Sequence, residues 1–218
     1  MLRREIVLTA DGSASIRIPD WDESYHSRHG AVQEARHVFI ANGLESFSGE
    51  VAILEMGFGT GLNALITFAH ALERGLTVKY TGIDHYPVSP KEAGLLNYPQ
   101  FIGHPEIFAQ MHECPWETRH RLGDRFELTK RNMNFDDVSF NAEFDLVYFD
   151  AFGYRFQPNL WSAEIFMAMF NALRPGGVLV TYAARTAIRK NMESAGFTVE
   201  KLAGPPGKRE MMRARKLI

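Results

Sequence analysis

The sequence predicts an α/β fold: a mostly parallel, twisted sheet with helices on both faces, preceded by an N-terminal β-hairpin and a helix. Three observations predict it. From about residue 50 onward, apolar runs suited to buried strands alternate with stretches of helical periodicity, the pattern of a parallel sheet wound by crossover helices. The first such run, Val51–Met56, leads past the acid Glu55 into glycines at every second position, Gly57, Gly59 and Gly61. Two further runs end on acids, Asp84 and Asp150, where ligands sit in open α/β sheets.

Taken in order, "EIVLT" and "ASIRI" flank "ADGS", and Asp-Gly is a strong hairpin signal. In "AVQEARHVFIANGL" the spacing of Ala31, Ala35, Val38 and Phe39 suits a helix that stops near Asn42-Gly43. Residues 1–49 are read as this extension and 50–218 as the main domain. Strands follow at 51–56 and 77–84, with a helix at 62–75 between them. Ser89 as N-cap and Pro90 at the first helical position start another helix, "SPKEAGLLNY". Strands are expected at 125–133 and 144–150, a helix at 162–177 closed by Arg174-Pro175-Gly176-Gly177, then a strand (178–184), a helix (185–196), a strand (197–202) and a last strand in "REMMRARKLI".

Bulk properties narrow the class. The 218 residues, 45% hydrophobic and 23% charged, fit one large soluble domain or one with a small appendage. No apolar run approaches the roughly 20 residues that span a bilayer, and no signal peptide is apparent. A single cysteine, Cys114, excludes an intrachain disulfide and makes a cysteine zinc site implausible. A cytoplasmic protein without membrane association is expected. The histidines match no metal-ligand spacing, so no metal is expected. With a net charge of −2 there is no global attraction for polyanions. Residues 201–218, however, gather six cations against Glu210, either a solvated terminal strand or a local phosphate-binding patch.

The glycine loop selects the ligand. A dinucleotide fingerprint needs glycine or alanine at position 62, which is Leu62, and no Gly-Lys-Ser/Thr follows as a nucleoside triphosphate loop requires. The observed form is Glu55-x-Gly57-x-Gly59-x-Gly61. Its glycines let backbone approach a ligand closely, and Glu55 suits a cation rather than a pyrophosphate. S-adenosylmethionine carries a sulfonium and an ammonium. Asp84, 23 residues after Gly61, matches the ribose-binding acid of nucleotide folds, with His85 beside it. After the third strand, Asn132 can meet the adenine edge and Met133 its face, or Met133 can fill core. Asp150 ends the fourth strand before Phe152, Tyr154, Phe156 and Trp161. A carboxylate there can hold an amine and remove its proton, while the aromatic walls orient the acceptor or stack a base.

These residues together resemble the tRNA wobble-uridine methyltransferases that form 5-methylaminomethyl-2-thiouridine, the MnmC/MnmD group. The matched segments are GFGTGLN at Gly57–Asn63 and Asp150-Ala151-Phe152 with Pro158 and Trp161. Further matches are Glu34–Phe39 near the start and Gly204–Met211 near the end. The resemblance implies a class I, Rossmann-like methyltransferase fold with S-adenosylmethionine as cofactor and the aminomethyl group of tRNA as acceptor. A separate FAD-dependent tRNA-modifying enzyme would act upstream. No second Gly-rich βαβ pattern follows, so a stand-alone methyltransferase is expected, without oxidoreductase activity. On the cofactor side it implies Glu55, Gly57, Phe58, Gly59, Gly61, Asn63, Asp84, His85, Asn132, Met133 and Asp150. Asp150 and Phe152 would be catalytic, and Tyr25, Glu34, Tyr154, Lys208 and Arg209 would meet the acceptor. Two departures stand out: Arg131-Asn132 where many relatives have Gly-Asp, and Phe156 where they have a lysine. The alternative is a methyltransferase or aminopropyltransferase acting on a small-molecule amine.

Overall fold

The structure, a computed structural model, describes residues 3–217. Ile218, in the expected last strand, lies outside the described residues. Three short strands, β1 (Glu5–Leu8), β2 (Ala14–Ile18) and β3 (Glu23–Ser24), form an antiparallel N-terminal sheet. The expected hairpin is present, and the side chain of Asp11 ties its turn by accepting from the Ser13 N–H at 3.0 Å. The predicted helix follows as α1 (Ala31–Ala35), which continues as a π-helical turn over Arg36–Ala41 and ends at Asn42.

The main sheet holds β4 (Glu50–Met56), β5 (Thr77–Asp84), β6 (Arg119–Arg121), β7 (Phe126–Asn132), β8 (Phe144–Phe149), β9 (Leu173–Thr181), β10 (Thr198–Ala203) and β11 (Glu210–Arg215). Its order is β10-β11-β9-β8-β4-β5-β7-β6. The strands from β9 to β7 are parallel, and β6 and β11 run antiparallel to their neighbours. The chain winds outward from β4 through β5 to β7, then returns to β8 on the other side of β4. The crevice over the carboxyl ends of β4 and β8 is therefore the switch point where such sheets bind ligands.

Strands β4 and β8 are buried on both faces, which is why "VAILEM" and "LVYF" read as unbroken apolar runs. One face carries α2 (Leu62–Arg74), α3 (Pro90–Ala93), α4 (Pro99–Ile102) and α5 (Pro105–Glu113) together with α1, sharing a core with Ile53, Leu65, Tyr80 and Tyr148. The other carries α6 (Ala163–Ala172) and α7 (Thr186–Ser194) over Leu54, Phe149, Phe166 and Met192. The N-terminal segment is built into the first of these cores through Ile16, Ala31, Val38 and Phe39.

Three elements differ from expectation. The helix over 162–177 ends at Ala172, and Arg174-Pro175-Gly176-Gly177 lies inside β9. Leu173 pairs with Phe144, a bulge follows, and Gly176 and Gly177 exchange backbone hydrogen bonds with Lys216 at 2.9 and 3.0 Å. The helix at Ser89 has the capping box its sequence signals but lasts four residues. Strand β6, "RHR", carries no apolar signal and was not expected.

Candidate active site

The loop after β4 takes its path because its glycines allow it. Gly57, Gly59 and Gly61 have φ of +99°, +50° and +72°, a region side chains rarely tolerate. At Gly57 a Cβ would also lie 2.7 Å from the carbonyl oxygen of Asp150. The loop thus runs in backbone contact with the end of β8, and the Asp150 N–H donates to Met56 at 3.0 Å. Asp84 fixes the loop from the other side. Its two carboxylate oxygens accept from the backbone N–H groups of Gly59 and Tyr86, both at 2.8 Å. Burial raises its pKa against those two donors. His112 donates from Nε2 to the Thr60 carbonyl at 3.1 Å, and His26 lies against the Thr60 hydroxyl. Burial pushes both imidazoles down to about 4, so both are neutral supports.

Over this loop opens a cavity of about 510 Å³. Gly57, Phe58, Gly59 and Asn63 form its floor, and Asp84 and His85 stand at one side. Asp150 and Phe152 stand at the other, with Tyr25, Glu34 and Lys208 closing over them. The structure therefore gathers most of the residues the sequence pointed to, from both ends of the chain.

Asp150 is organised by Asn63. The Nδ2 group of Asn63 donates to Asp150 Oδ2 at 2.8 Å and to Glu55 Oε1 at 2.9 Å. Burial raises Asp150 to about 7, opposed by the Asn63 hydrogen bond; the charge of Glu34 adds to the rise and that of Lys208 offsets it. A carboxyl with that pKa takes and releases protons near neutrality. Glu55 is a correction to the sequence argument. It is 0% exposed and lies behind the lining, not in it. Burial pushes it well above the ordinary carboxylate range, which favours the neutral acid. It anchors Asn63 and offers a bound cation no surface.

The aromatic wall is drawn largely from the N-terminal extension. Tyr25 packs edge-on against Phe152 with ring centres 4.8 Å apart, and Trp21 does so at 5.6 Å. Burial pushes the Tyr25 phenol up to about 12. Arg4 lies over the Tyr25 ring and donates to the carbonyls of Tyr86 and Pro87 at 2.6 and 3.1 Å. Glu34, 7% exposed, accepts from the Ser27 N–H at 2.9 Å and from the Lys208 ammonium. That ammonium also sits 3.9 Å from the ring centre of Tyr182, whose hydroxyl donates to the Ala151 carbonyl at 2.8 Å.

Some expected residues lie elsewhere. Asn132 is exposed and its N–H is taken by Glu117 at 2.6 Å; Met133 packs at the edge of the α6 core. Neither lines the cavity, because β7 runs on to Asn132 and the chain turns inward only at Asn134, Phe135 and Asp136, which do. Gly61 shapes the loop from below, where a Cβ would meet His112 Nε2 at 2.8 Å. Tyr154 and Arg209 face an adjoining groove. Trp21, Arg4 and Tyr182 were not foreseen. Tyr182 sits one residue beyond β9, and the end of that strand was the signal available for it.

Among the described residues no three or more His, Cys, Asp or Glu side chains are placed to hold a metal, and no helix is long and apolar enough to cross a membrane. Residues 111–217 match a family described as S-adenosyl-L-methionine-dependent methyltransferase. The fold is similar to the crystal structure of MnmC2 from Aquifex aeolicus, with a TM-score of 0.81 and 25% identity over 98% of this chain and 70% of that one. More distant likenesses, of fold alone, are spermidine synthase from Thermotoga maritima and the 1,6-didemethyltoxoflavin-N1-methyltransferase of Burkholderia thailandensis. The first has a TM-score of 0.52 and 14% identity over 99% of this chain and 73% of that one. The second, solved with bound S-adenosylhomocysteine, has a TM-score of 0.51 and 18% identity over 86% and 78%. By fold and by sequence, the chain is an S-adenosyl-L-methionine-dependent methyltransferase, similar in fold to MnmC2.

Proposed function

We propose that the chain methylates the primary amine of 5-aminomethyl-2-thiouridine at the wobble position of tRNA, forming 5-methylaminomethyl-2-thiouridine. The observation that carries the reading is Asp150: a carboxyl fixed by Asn63 at the cavity wall, poised near neutrality and flanked by aromatic rings and a second acid, Glu34. The nature of the acceptor rests on the likeness to MnmC2 and on the four motif segments.

The residues fit the cofactor. The floor lacks side chains where backbone must come close, and Asp84 can accept from ribose hydroxyls with the lone pairs its two backbone donors leave. The segment Asn134–Asp136 borders the cavity where the sequence expected adenine contacts. When bound, S-adenosyl-L-methionine supplies a methyl group on a cationic sulfur. This chain's part is to prepare the acceptor. A protonated amine has no lone pair, so Asp150 accepts an N–H proton from the ammonium and frees the nitrogen pair for attack on the methyl carbon. Glu34 adds negative charge that attracts the ammonium, and Lys208 keeps Glu34 in place. Tyr25, Phe152 and Trp21 exclude water and hold the acceptor in line. The proton on Asp150 passes to solvent after transfer.

An amine-bearing uridine must be made first, so an FAD-dependent enzyme upstream and a cytoplasmic location, with the tRNA pool, belong to the same reading. Labelled cofactor incubated with tRNA from a strain lacking this modification, followed by nucleoside mass spectrometry, tests it. Label in 5-methylaminomethyl-2-thiouridine is expected. Label that never enters tRNA, with transfer to small amines instead, refutes it.

A further inference from the structure

A second concavity of about 520 Å³ adjoins the cavity. Glu23, Gly153, Tyr182 and Lys208 line both, so the two are continuous. Its outer part carries Tyr154, Arg155, Phe156, Arg185 and Arg209. Two guanidinium groups lie on aromatic faces, Arg155 on Phe156 and Arg185 on Tyr154, each 5.6 Å from the ring centre.

The charge of this groove is cancelled only in part: Arg155 helps to lower the pKa of Asp22 and Arg209 that of Glu210, and Glu23 also lies in the lining. Its acids are Asp22, Glu23 and Glu210. Asp22 is bound by Arg17 at 2.7 Å and Glu210 by Lys201 at 2.7 Å, both from outside the groove. Among the described residues, Arg155, Arg185 and Arg209 have no carboxylate within ion-pair distance. A chain of net charge −2 thus holds, beside its acceptor site, three guanidinium groups without a carboxylate at ion-pair distance and two half-buried rings that carry two of them. Basic side chains with stacking platforms are how proteins hold single-stranded nucleic acid.

We infer that this groove seats the single-stranded RNA flanking the acceptor nucleotide, with phosphates on Arg155, Arg185 and Arg209 and a neighbouring base on the Tyr154–Phe156 face. The inference rests on the tRNA reading above. It also gives the position where a lysine is replaced by Phe156 a use, with a stacking surface standing in for a point charge and Arg155 supplying the cation.

The test compares wild type with R155Q/R185Q/R209Q and with Y154A. Affinity for unmodified tRNA is measured across a salt series, and S-adenosyl-L-methionine affinity by calorimetry. Each single-strand phosphate contact contributes about 0.7 to the salt slope. The triple variant should lower that slope by about 2 and weaken tRNA binding about 10-fold or more, with cofactor affinity unchanged. Y154A should weaken binding without changing the slope. Wild-type slope and affinity in the triple variant overturn the groove assignment, provided wild type methylates tRNA. No methyl transfer to tRNA by wild type overturns the function reading, and the groove assignment with it.

Discussion

At the scale of the residue, the burial that holds Asp150 near pH 7 acts on stability as well as on turnover. Its folded pKa, about 7, lies above the ordinary 3.8, so between those values the folded chain binds the extra proton. Stability therefore falls as pH rises through that window. At 1.36 kcal/mol per unit, the cost above pH 7 is on the order of 4 kcal/mol. Asp150→Asn keeps an acceptor for Asn63 and removes the charge. It should lower kcat/KM by about 100-fold or more and yet raise Tm, by about 3 °C or more at pH 8 and by little at pH 4. Wild-type kcat/KM should fall below about pH 7, and the residual activity of the variant should lack that limb. Equal thermal curves at both pH values would argue that the carboxyl is not desolvated. The acids at strand ends were legible in the sequence because position after a strand identifies them. The inversion of Glu55 from ligand to support was not, because it depends on which face of β4 the side chain takes and on Asn63 arriving from α2 to meet it.

At the scale of the element, the glycine loop shows why three glycines are needed where two would make a turn. Each serves a different neighbour: Gly57 the backbone of Asp150, Gly59 the ring of Tyr25, Gly61 the imidazole of His112. Gly57→Ala meets fixed backbone at a positive φ. It should displace the end of β8 and abolish measurable cofactor binding in calorimetry, with a loss of stability of about 2 kcal/mol or more. Retained cofactor affinity would mean the loop can be repositioned. The alternation of strands and helices was readable because the central strands are buried on both faces. The Arg-Pro-Gly-Gly segment misled, since its usual role of ending a helix is overruled here by pairing with Lys216. Asn132 and Met133 fall outside the cavity lining for a related reason: β7 continues along β5 as far as Asn132, and the lining begins at Asn134.

At the scale of the whole molecule, the site belongs to no single stretch of chain. The N-terminal sheet supplies Trp21, Glu23 and Ser24 to the cavity, and the β10–β11 connection supplies Lys208. Deleting residues up to Ser24 takes Ile16 out of the first core as well as Trp21, Glu23 and Ser24 out of the cavity, and should weaken cofactor binding about 10-fold or more. W21A and Y25A should reproduce part of that loss if the deletion is poorly folded. Unchanged affinity in all three would show the extension to be a passive appendage. The hairpin was legible from its Asp-Gly turn, but its position over the cavity depends on contacts such as Arg4 with Tyr86 and Pro87 across more than 80 residues of sequence.

Strand β11, though near the carboxyl end of the sequence, is an interior strand, inserted between β9 and β10. A protease cut in the Gly204–Arg209 connection, or a premature stop before it, would not trim an edge. It would open a gap one strand wide and leave β10 without a partner. Synthesis has the same requirement: the sheet on that side cannot close until Glu210–Arg215 has left the ribosome, so a nascent chain should remain inactive until then.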